Sequence, residues 1–159
     1  MENVQPSAEV RDYNSFSRSF EIAGRNFSRG GSVSTTIKDI FEDIGIDSAI
    51  IRRTTTAAYE AEMNVVMYAE RGEMIVHVTP DLVHLQLRDE GPGIPDIGLA
   101  MQEGYSTATP EMRERGFGAG MGLPNIKKNA DRFEIFSEVG KGTRLEIYFD
   151  LHPVRKNEA

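Results

Sequence analysis

Glycine occupies every second position in one stretch of this chain, Arg115-Gly116-Phe117-Gly118-Ala119-Gly120-Met121-Gly122-Leu123-Pro124-Asn125-Ile126. The residues from Pro124 to Phe133 are predicted to form a helix, because Ile126, Ala130 and Phe133 share one face at helical spacing. Glycines let backbone N–H groups approach a ligand closely, and the first turn of a helix adds unpaired donors. The stretch therefore indicates either a cradle for a phosphate chain or a flexible surface loop before an ordinary helix.

The composition is typical of one soluble, globular domain with a sizeable core, since the chain has 159 residues of which 39% are hydrophobic and 27% charged. The net charge of −7 argues against a nucleic-acid-binding protein, which usually carries a basic patch. The absence of cysteine excludes a disulfide framework, a thiolate metal site and a cysteine nucleophile. No apolar run reaches the ~18 residues of a membrane span, and the polar N-terminus lacks a signal-peptide core. We therefore expect a cytoplasmic protein without a membrane anchor.

The hydrophobic pattern predicts a five-stranded sheet and at least three helices. Residues 15–23 alternate as a strand does, and Arg18 interrupts the apolar side, so this strand is predicted to lie at a sheet edge. Helices are predicted over residues 34–44 and from an N-cap at Asp47 to about Glu70. Two antiparallel pairs are predicted, formed by residues 73–79 with 82–88 and by residues 133–139 with 143–149.

Residues 90–115 separate the two strand pairs and form a long insertion of loop, short helix and turn. Such insertions in compact domains are usually functional. The domain is predicted to cover residues 15–151, with a flexible leader over residues 1–14 and a flexible polar tail over residues 152–159.

Glu60 and Asn64 lie four residues apart on the long predicted helix and therefore share one face. The amide oxygen suits a magnesium ion that carries phosphates, and the carboxylate can hold a water or accept a proton. The alternative is a solvated helix face, although apolar neighbours such as Ala57 and Val65 favour the wall of a cleft. Glu62 points away from this face and is predicted to be solvated.

The segment Asp89-Glu90-Gly91-Pro92-Gly93-Ile94 follows directly after a predicted strand. An aspartate at the end of a strand can accept a hydrogen bond from an exocyclic amine such as the N6 group of adenine. The two glycines allow the backbone to turn tightly beneath a flat ring. The alternative is an ordinary Asp-Gly turn.

Three segments, taken in order, resemble the ATP-binding boxes of the gyrase, Hsp90, histidine kinase and MutL (GHKL) superfamily: Glu60-Ala61-Glu62-Met63-Asn64, Asp89-Glu90-Gly91-Pro92-Gly93-Ile94 and Gly118-Ala119-Gly120-Met121-Gly122-Leu123. The resemblance covers about residues 15–150. Within the superfamily, the chain is most similar to the bacterial anti-sigma-factor and switch-type serine/threonine protein kinases, and residues 91–107 are similar to the stressosome switch kinase. The resemblance implies the α+β Bergerat ATP-binding fold, a two-layer α/β sandwich whose mixed, mainly antiparallel sheet of about five strands has helices on one face.

The resemblance also implies roles at the nucleotide. Asn64 would hold Mg²⁺ and through it the phosphates of ATP, and Glu60 would act as the general base on the hydroxyl of a protein substrate. Asp89 would recognise adenine, helped by Gly93 and by Thr143, which matches a strand threonine near the base. Gly91 and Ile94 belong to the same nucleotide-binding box.

The third box implies a lid over the phosphates, supported by Gly118, Gly120 and Gly122, with Leu123 at the start of the following helix. Arg115 is either a phosphate contact or a solvated lid charge. Ser106 and Thr107 form either a lid hinge or a plain turn.

The implied function is partner switching, in which a homodimeric kinase binds a regulator such as a sigma factor and phosphorylates an antagonist of the sulphate-transporter/anti-sigma-antagonist type. Phe16, Phe20 and Ile22 on the edge strand either form the dimer contact or face the helices. Two alternatives are an ATP-dependent binding module with little catalysis and a stand-alone histidine kinase catalytic domain. Met67 disfavours the latter, because histidine kinases usually carry a basic residue about three places after the asparagine that Asn64 matches.

Overall fold

The structure is a computed structural model that describes residues 15–114, 118 and 120–152. These residues form five strands, five α-helices and one 3-10 turn. Their order is β1 (Phe16–Ala23), the 3-10 turn (Phe27–Arg29), α1 (Ser32–Asp43), α2 (Ser48–Tyr68), β2 (Arg71–Val78), β3 (Leu82–Asp89), α3 (Ile97–Ala100), α4 (Pro110–Glu114), α5 (Gly122–Asn129), β4 (Arg132–Glu138) and β5 (Gly142–Asp150). The predicted leader and the tail beyond residue 152 lie outside the described residues.

The five strands form one sheet in the order β1-β2-β3-β5-β4, and every neighbouring pair is antiparallel. The last strand in sequence, β5, lies between β3 and β4, with Leu145 opposite both Leu87 and Ile135. The edge position predicted for the first strand is confirmed, since β2 is the only described strand that pairs with β1. The α+β fold class and the two predicted antiparallel pairs are likewise confirmed.

Alternate residues of the central strands are buried in a single core with residues of α1, α2 and α5. Full burial of a large apolar side chain contributes roughly 1.5–3 kcal/mol, so the packing of these helices on the sheet stabilises the fold. The largest fully buried apolar side chains are Phe41, Phe149, Ile37, Met74, Leu85, Leu87, Ile126, Leu145 and Ile147. Within the described ranges, no helix combines the length and the apolar character needed to cross a membrane.

The edge strand places its apolar side toward this core. Ile22 is only 5% exposed, and Phe16 and Phe20 pack against the buried cluster. The three residues considered as a dimer contact are therefore engaged within the chain. On the side of β1 opposite β2, no strand of the described residues pairs with its backbone edge.

Glu62 is buried, so the prediction of a solvated side chain is wrong. It is 1% exposed, and its Oε2 accepts hydrogen bonds from the backbone N–H groups of Gly31 (3.0 Å) and Val33 (3.2 Å). Its Oε1 accepts from the N–H of Ser34 at 2.9 Å. The reason is that α1 begins against the middle of α2, and the first turn of a helix has N–H groups without partners inside the helix. Glu62 thereby ties the two helices together.

The helix after the glycine-rich stretch is shorter than the predicted 124–133. This helix is α5. It begins at Gly122, two residues before the predicted start, and Pro124 is tolerated within its first turn. Ala130 is already extended, with φ −82° and ψ 148°, and Phe133 belongs to β4, where it lies opposite Ile147. The apolar residues 126, 130 and 133 all pack on the core as predicted, but the last of them does so from a strand.

Candidate functional site

A cavity of about 440 Å³ lies between α2, the end of β3, the 89–108 segment and the start of α5. Its volume is in the range of sites that hold small molecules and cofactors. All the nucleotide-site residues predicted from the sequence line it: Glu60, Asn64, Asp89, Gly91, Gly93, Ile94, Gly118, Gly120, Gly122, Leu123 and Thr143. The fold thus brings three distant segments and the start of β5 to one cavity.

The wall formed by α2 carries Glu60 and Asn64, which lie one helical turn apart and are partly buried. The first turn of α5 packs directly against this pair. A Cβ atom placed on Gly122 would lie 3.3 Å from the Glu60 Oε2 and 3.4 Å from the Asn64 Oδ1. The first separation is tighter than most Cβ contacts, and the second lies at the lower limit of ordinary van der Waals contact. Glycine at position 122 therefore keeps space beside the two polar groups.

Glu60 also has a hydrogen-bond partner that the sequence did not reveal. The side-chain Nδ2 of Asn125 lies 3.2 Å from the Glu60 Oε1. The Glu60 Oε2 has no hydrogen-bond partner among the described residues. A signal for Asn125 existed in the sequence, because it follows Gly122 by one helical turn and so shares its face of α5.

Asp89 ends β3 and is held by two backbone donors. Its Oδ1 accepts hydrogen bonds from the N–H groups of Gly91 and Thr143, both at 3.1 Å. Burial raises the pKa of Asp89, and the two N–H donors offset part of that rise. The Asp89 Oδ2 has no hydrogen-bond partner within the part of the chain that the structure describes. This oxygen is available as an acceptor for a ligand.

The loop after Asp89 is fixed on the β4–β5 pair. Gly93 has a φ of 78°, and a Cβ atom there would overlap the carbonyl of Glu138. The N–H of Ile94 donates to the Ser137 Oγ at 2.7 Å, and this hydroxyl lies 2.8 Å from the Thr143 Oγ1. Ser137 was not predicted as a site residue, although strand pairing places it directly opposite Thr143. These contacts position the residues predicted to surround adenine.

An ion pair anchors the other side of this loop. Arg71 donates from Nε and Nη2 to the two carboxylate oxygens of Glu90, at 2.5 Å and 3.0 Å. This hydrogen bonding lowers the pKa of Glu90. Both side chains are exposed, so we assign the pair a role in loop orientation and little stabilising energy.

The glycine-rich stretch packs against the segment that precedes α4. The N–H of Gly104 donates to the carbonyl of Gly120 at 2.9 Å, and a Cβ atom on Gly120 would overlap the backbone of Gly104. A Cβ atom on Gly118 would overlap the side chain of Ala108. Both glycines have positive φ, 84° at Gly118 and 75° at Gly120. Close packing between loops therefore requires these glycines, in addition to any approach to phosphate.

Two further residues that were predicted near the lid, Ser106 and Thr107, line the cavity. Arg115 lies outside the described residues. An exposed ion pair at 2.6 Å joins Lys128 on α5 to Glu103, next to the loop that contacts Gly120. The start of the lid segment is thus connected to α5.

The donor set suits a magnesium ion shared with phosphates better than a metal held by the protein alone. Among the described residues there is no group of three or more histidine, cysteine, aspartate or glutamate side chains arranged to hold a metal. Asn64 offers an amide oxygen into the cavity. Magnesium commonly takes only one or two protein oxygens and completes its shell with phosphates and waters.

Comparison of the amino-acid sequence with known proteins identifies a matching family and several named relatives. The profile of the histidine kinase-, DNA gyrase B- and HSP90-like ATPase family matches residues 48–153. The chain is 32% identical over 113 residues to the serine/threonine-protein kinase RsbT of Bacillus subtilis (strain 168). The aligned region covers 69% of this chain and 79% of that kinase. The chain is 33% identical over 110 residues to the anti-sigma F factor of Geobacillus kaustophilus (strain HTA426), with coverages of 65% and 70%. It is 29% identical over 124 residues to the anti-sigma F factor of Geobacillus thermodenitrificans (strain NG80-2), with coverages of 78% and 76%.

Proposed function

Because the chain belongs to the family of histidine kinase-, DNA gyrase B- and HSP90-like ATPases, we propose that it is an ATP-binding serine/threonine protein kinase of the anti-sigma-factor type. It acts in partner switching: it binds a regulator, such as a sigma factor, and phosphorylates an antagonist protein of the sulphate-transporter/anti-sigma-antagonist type. The observation that carries the proposal is the single cavity on which Glu60, Asn64 and Asp89 converge with the glycine-rich stretch.

Adenine recognition is assigned to Asp89 and its surroundings. Because Oδ1 is occupied by backbone donors, Oδ2 is the oxygen that accepts the exocyclic amine of adenine. The backbone at Gly91 and Gly93 allows the ring to approach, and Ile94 lines the same part of the cavity. Thr143 contributes a backbone donor that orients Asp89.

The phosphates are assigned to the opposite end of the cavity, between α2 and α5. Asn64 supplies the protein oxygen for Mg²⁺, which when bound neutralises negative charge on the phosphates. Gly118, Gly120 and Gly122 surround this end with backbone, and Leu123 lies in the first turn of α5, where backbone N–H groups favour anions.

Phosphoryl transfer is assigned to Glu60 as general base. Its Oε2, which has no hydrogen-bond partner among the described residues, accepts the proton of the substrate serine or threonine hydroxyl. The hydroxyl oxygen forms a bond to the γ-phosphorus, while the bond from the γ-phosphorus to the β,γ-bridging oxygen breaks and ADP leaves. The products are the phosphorylated protein and ADP, with the proton on Glu60 until it exchanges with water.

The experiment that tests this function is a pull-down from bacterial lysate with the chain loaded with ATP or with ADP, followed by mapping of any phosphorylated residue. We expect a partner whose capture depends on the nucleotide and a phosphate on its serine or threonine. ATP binding with nucleotide-dependent capture but no transfer would replace the kinase by a binding module. Transfer to a histidine would replace it by a histidine kinase catalytic domain.

Asp89→Asn is expected to weaken ATP binding while leaving the fold intact. An asparagine keeps an oxygen for Gly91 and Thr143 but places an NH₂ where Oδ2 was, so that two donors face each other at the adenine amine. The lost hydrogen bond should cost about 1–3 kcal/mol, or roughly 5- to 150-fold in Kd. Isothermal titration calorimetry with Mg·ATP measures the effect.

The matched control for this variant is Asp81→Asn, at the other end of β3, where the carboxylate is 87% exposed. It should bind ATP like the wild type. Unchanged affinity in a folded Asp89→Asn chain would contradict the adenine assignment and leave Asp89 as a support for the β3–β5 pair.

A homodimer formed through the open edge of β1 is a further part of the proposal. Among the described residues, no strand pairs with this edge, so its backbone N–H and C=O groups can pair with a second strand. We expect sedimentation velocity to give twice the monomer mass of 17.7 kDa. A monomer at about tens of micromolar, well above the Kd of a weak specific dimer, would rule out this assembly.

A further inference from the structure

We propose that Asn125 is a positioning residue for Glu60, and that it links the helix after the glycine-rich stretch to the proton acceptor. The proposal rests on the kinase function given above. It assigns a role to a residue outside the three sequence segments that identified the nucleotide site.

The hydrogen bond has only one chemically sensible direction. A carboxylate is an acceptor, so the Asn125 amide must present its NH₂ group to the Glu60 Oε1, at 3.2 Å. The contact joins α5 to α2 across 65 residues of sequence. Hydrogen bonds to a charged group are stronger than neutral ones, which suits a contact that must fix the orientation of a side chain.

Asn125 is itself held firmly on α5. Its N–H donates to the carbonyl of Met121 at 2.8 Å, and its carbonyl accepts from the Asn129 Nδ2 at 2.8 Å. The backbone on both sides is therefore fixed when the side chain reaches Glu60. A rigid support of this kind is needed if a hydrogen bond is to hold a reacting group in one geometry.

The two carboxylate oxygens of Glu60 consequently have different roles. Oε1 is held by Asn125, whereas Oε2 faces the space kept open by Gly122 and has no described hydrogen-bond partner. Glutamate has several rotatable bonds and would otherwise sample many orientations. Asn125 selects the orientation in which Oε2 points at the phosphate end of the cavity, where it accepts the proton.

The test is Asn125→Leu, which removes the amide at similar volume, assayed with Mg·ATP and the purified partner identified by the pull-down. We expect kcat to fall about 10- to 100-fold, as for a misplaced catalytic group, while KM for ATP stays unchanged. Asn125→Gln, which retains an NH₂ donor, should recover most of kcat. The matched control is Lys127→Leu, which introduces leucine at an exposed position of the same helix, away from Glu60, and should retain the wild-type kcat.

A double-mutant cycle separates positioning from general damage to the fold. In a Glu60→Gln background, Asn125→Leu should cause no further loss of kcat, because residues that act as a unit are not additive. The same fold-loss in both backgrounds, or an unchanged kcat in Asn125→Leu, would overturn the proposal.

A measurement without nucleotide tests the contact between Asn125 and Glu60 separately from the kinase function. In ¹⁵N-labelled protein, the side-chain amide resonances of Asn125 should shift in Glu60→Ala and stay in place in the distant exposed variant Glu134→Ala. Resonances that do not respond to Glu60→Ala would overturn the contact even if the wild type is an active kinase. If the wild type transfers no phosphoryl group to any partner, both the kinase function and the positioning role of Asn125 are overturned.

Discussion

Glu60→Gln is expected to slow phosphoryl transfer by about 10²–10⁴-fold, the usual contribution of a positioned proton acceptor, while ATP still binds. Glutamine preserves the shape of the side chain and can still meet Asn125, but it does not accept the proton of the substrate hydroxyl. Glu60 lies one turn from Asn64 on α2 and lines the same cavity, so under the proposed function it faces the phosphates without being needed to hold the nucleotide. The measurement is a single-turnover assay with [γ-³²P]ATP at saturating nucleotide, combined with calorimetry.

Asn64→Ala provides the contrast to Glu60→Gln, because it removes the proposed magnesium ligand and should weaken magnesium-dependent ATP binding itself. The two variants should therefore fail in different assays. The control is Glu134→Gln, an exposed carboxylate on β4, which should behave as the wild type in both. A Glu60→Gln chain that phosphorylates its partner at the wild-type rate would refute the general-base role.

Glu62→Ala is expected to lower the free energy of unfolding by about 3–5 kcal/mol, a large part of the roughly 5–15 kcal/mol that holds a typical domain folded. The substitution leaves the N–H groups of Gly31, Val33 and Ser34 without their acceptor at a buried helix start. It also creates space between α1 and α2. Urea unfolding followed by circular dichroism gives the change from the midpoint and slope.

Glu42→Ala is the matched control for Glu62→Ala, since Glu42 is 54% exposed on α1 and makes only a 3.9 Å pair with Lys38. Its loss should cost no more than about 0.5 kcal/mol. A Glu62→Ala chain whose unfolding free energy falls by less than about 1 kcal/mol would mean that water or a local shift replaces the carboxylate.

Much of the architecture could be predicted because each element has a strong local pattern. The alternation in β1, with Arg18 on its apolar side, correctly predicted an edge strand. Asp47 was correctly predicted as the N-cap of α2, and its side chain accepts a hydrogen bond from the N–H of Ala49 at 2.8 Å. The superfamily could be identified from three short segments because nucleotide binding restricts which residues fit at each position.

The missed features all depend on contacts between segments that are far apart in sequence. Glu62 sits between Glu60 and Asn64, and no local pattern distinguishes a solvated glutamate from one that caps a distant helix. The prediction that the helix extends to Phe133 is wrong. The apolar residues at positions 126, 130 and 133 fit helical spacing, but the last of them belongs to a strand. Asn125 shares the face of α5 that carries Gly122, but its contact with Glu60 depends on the packing of α5 against α2.

The position of β5 between β3 and β4 has a consequence for the order in which the molecule can be made. Asp89 is synthesised long before Thr143, yet the N–H of Thr143 orients its carboxylate. The β4–β5 pair also supports the loop at Ile94 through Ser137. A nascent chain emerging from the ribosome therefore holds α2, β3 and the three segments that line the cavity before the β4–β5 hairpin exists. The part of the cavity around Asp89 is completed only after this hairpin has been synthesised and has inserted beside β3.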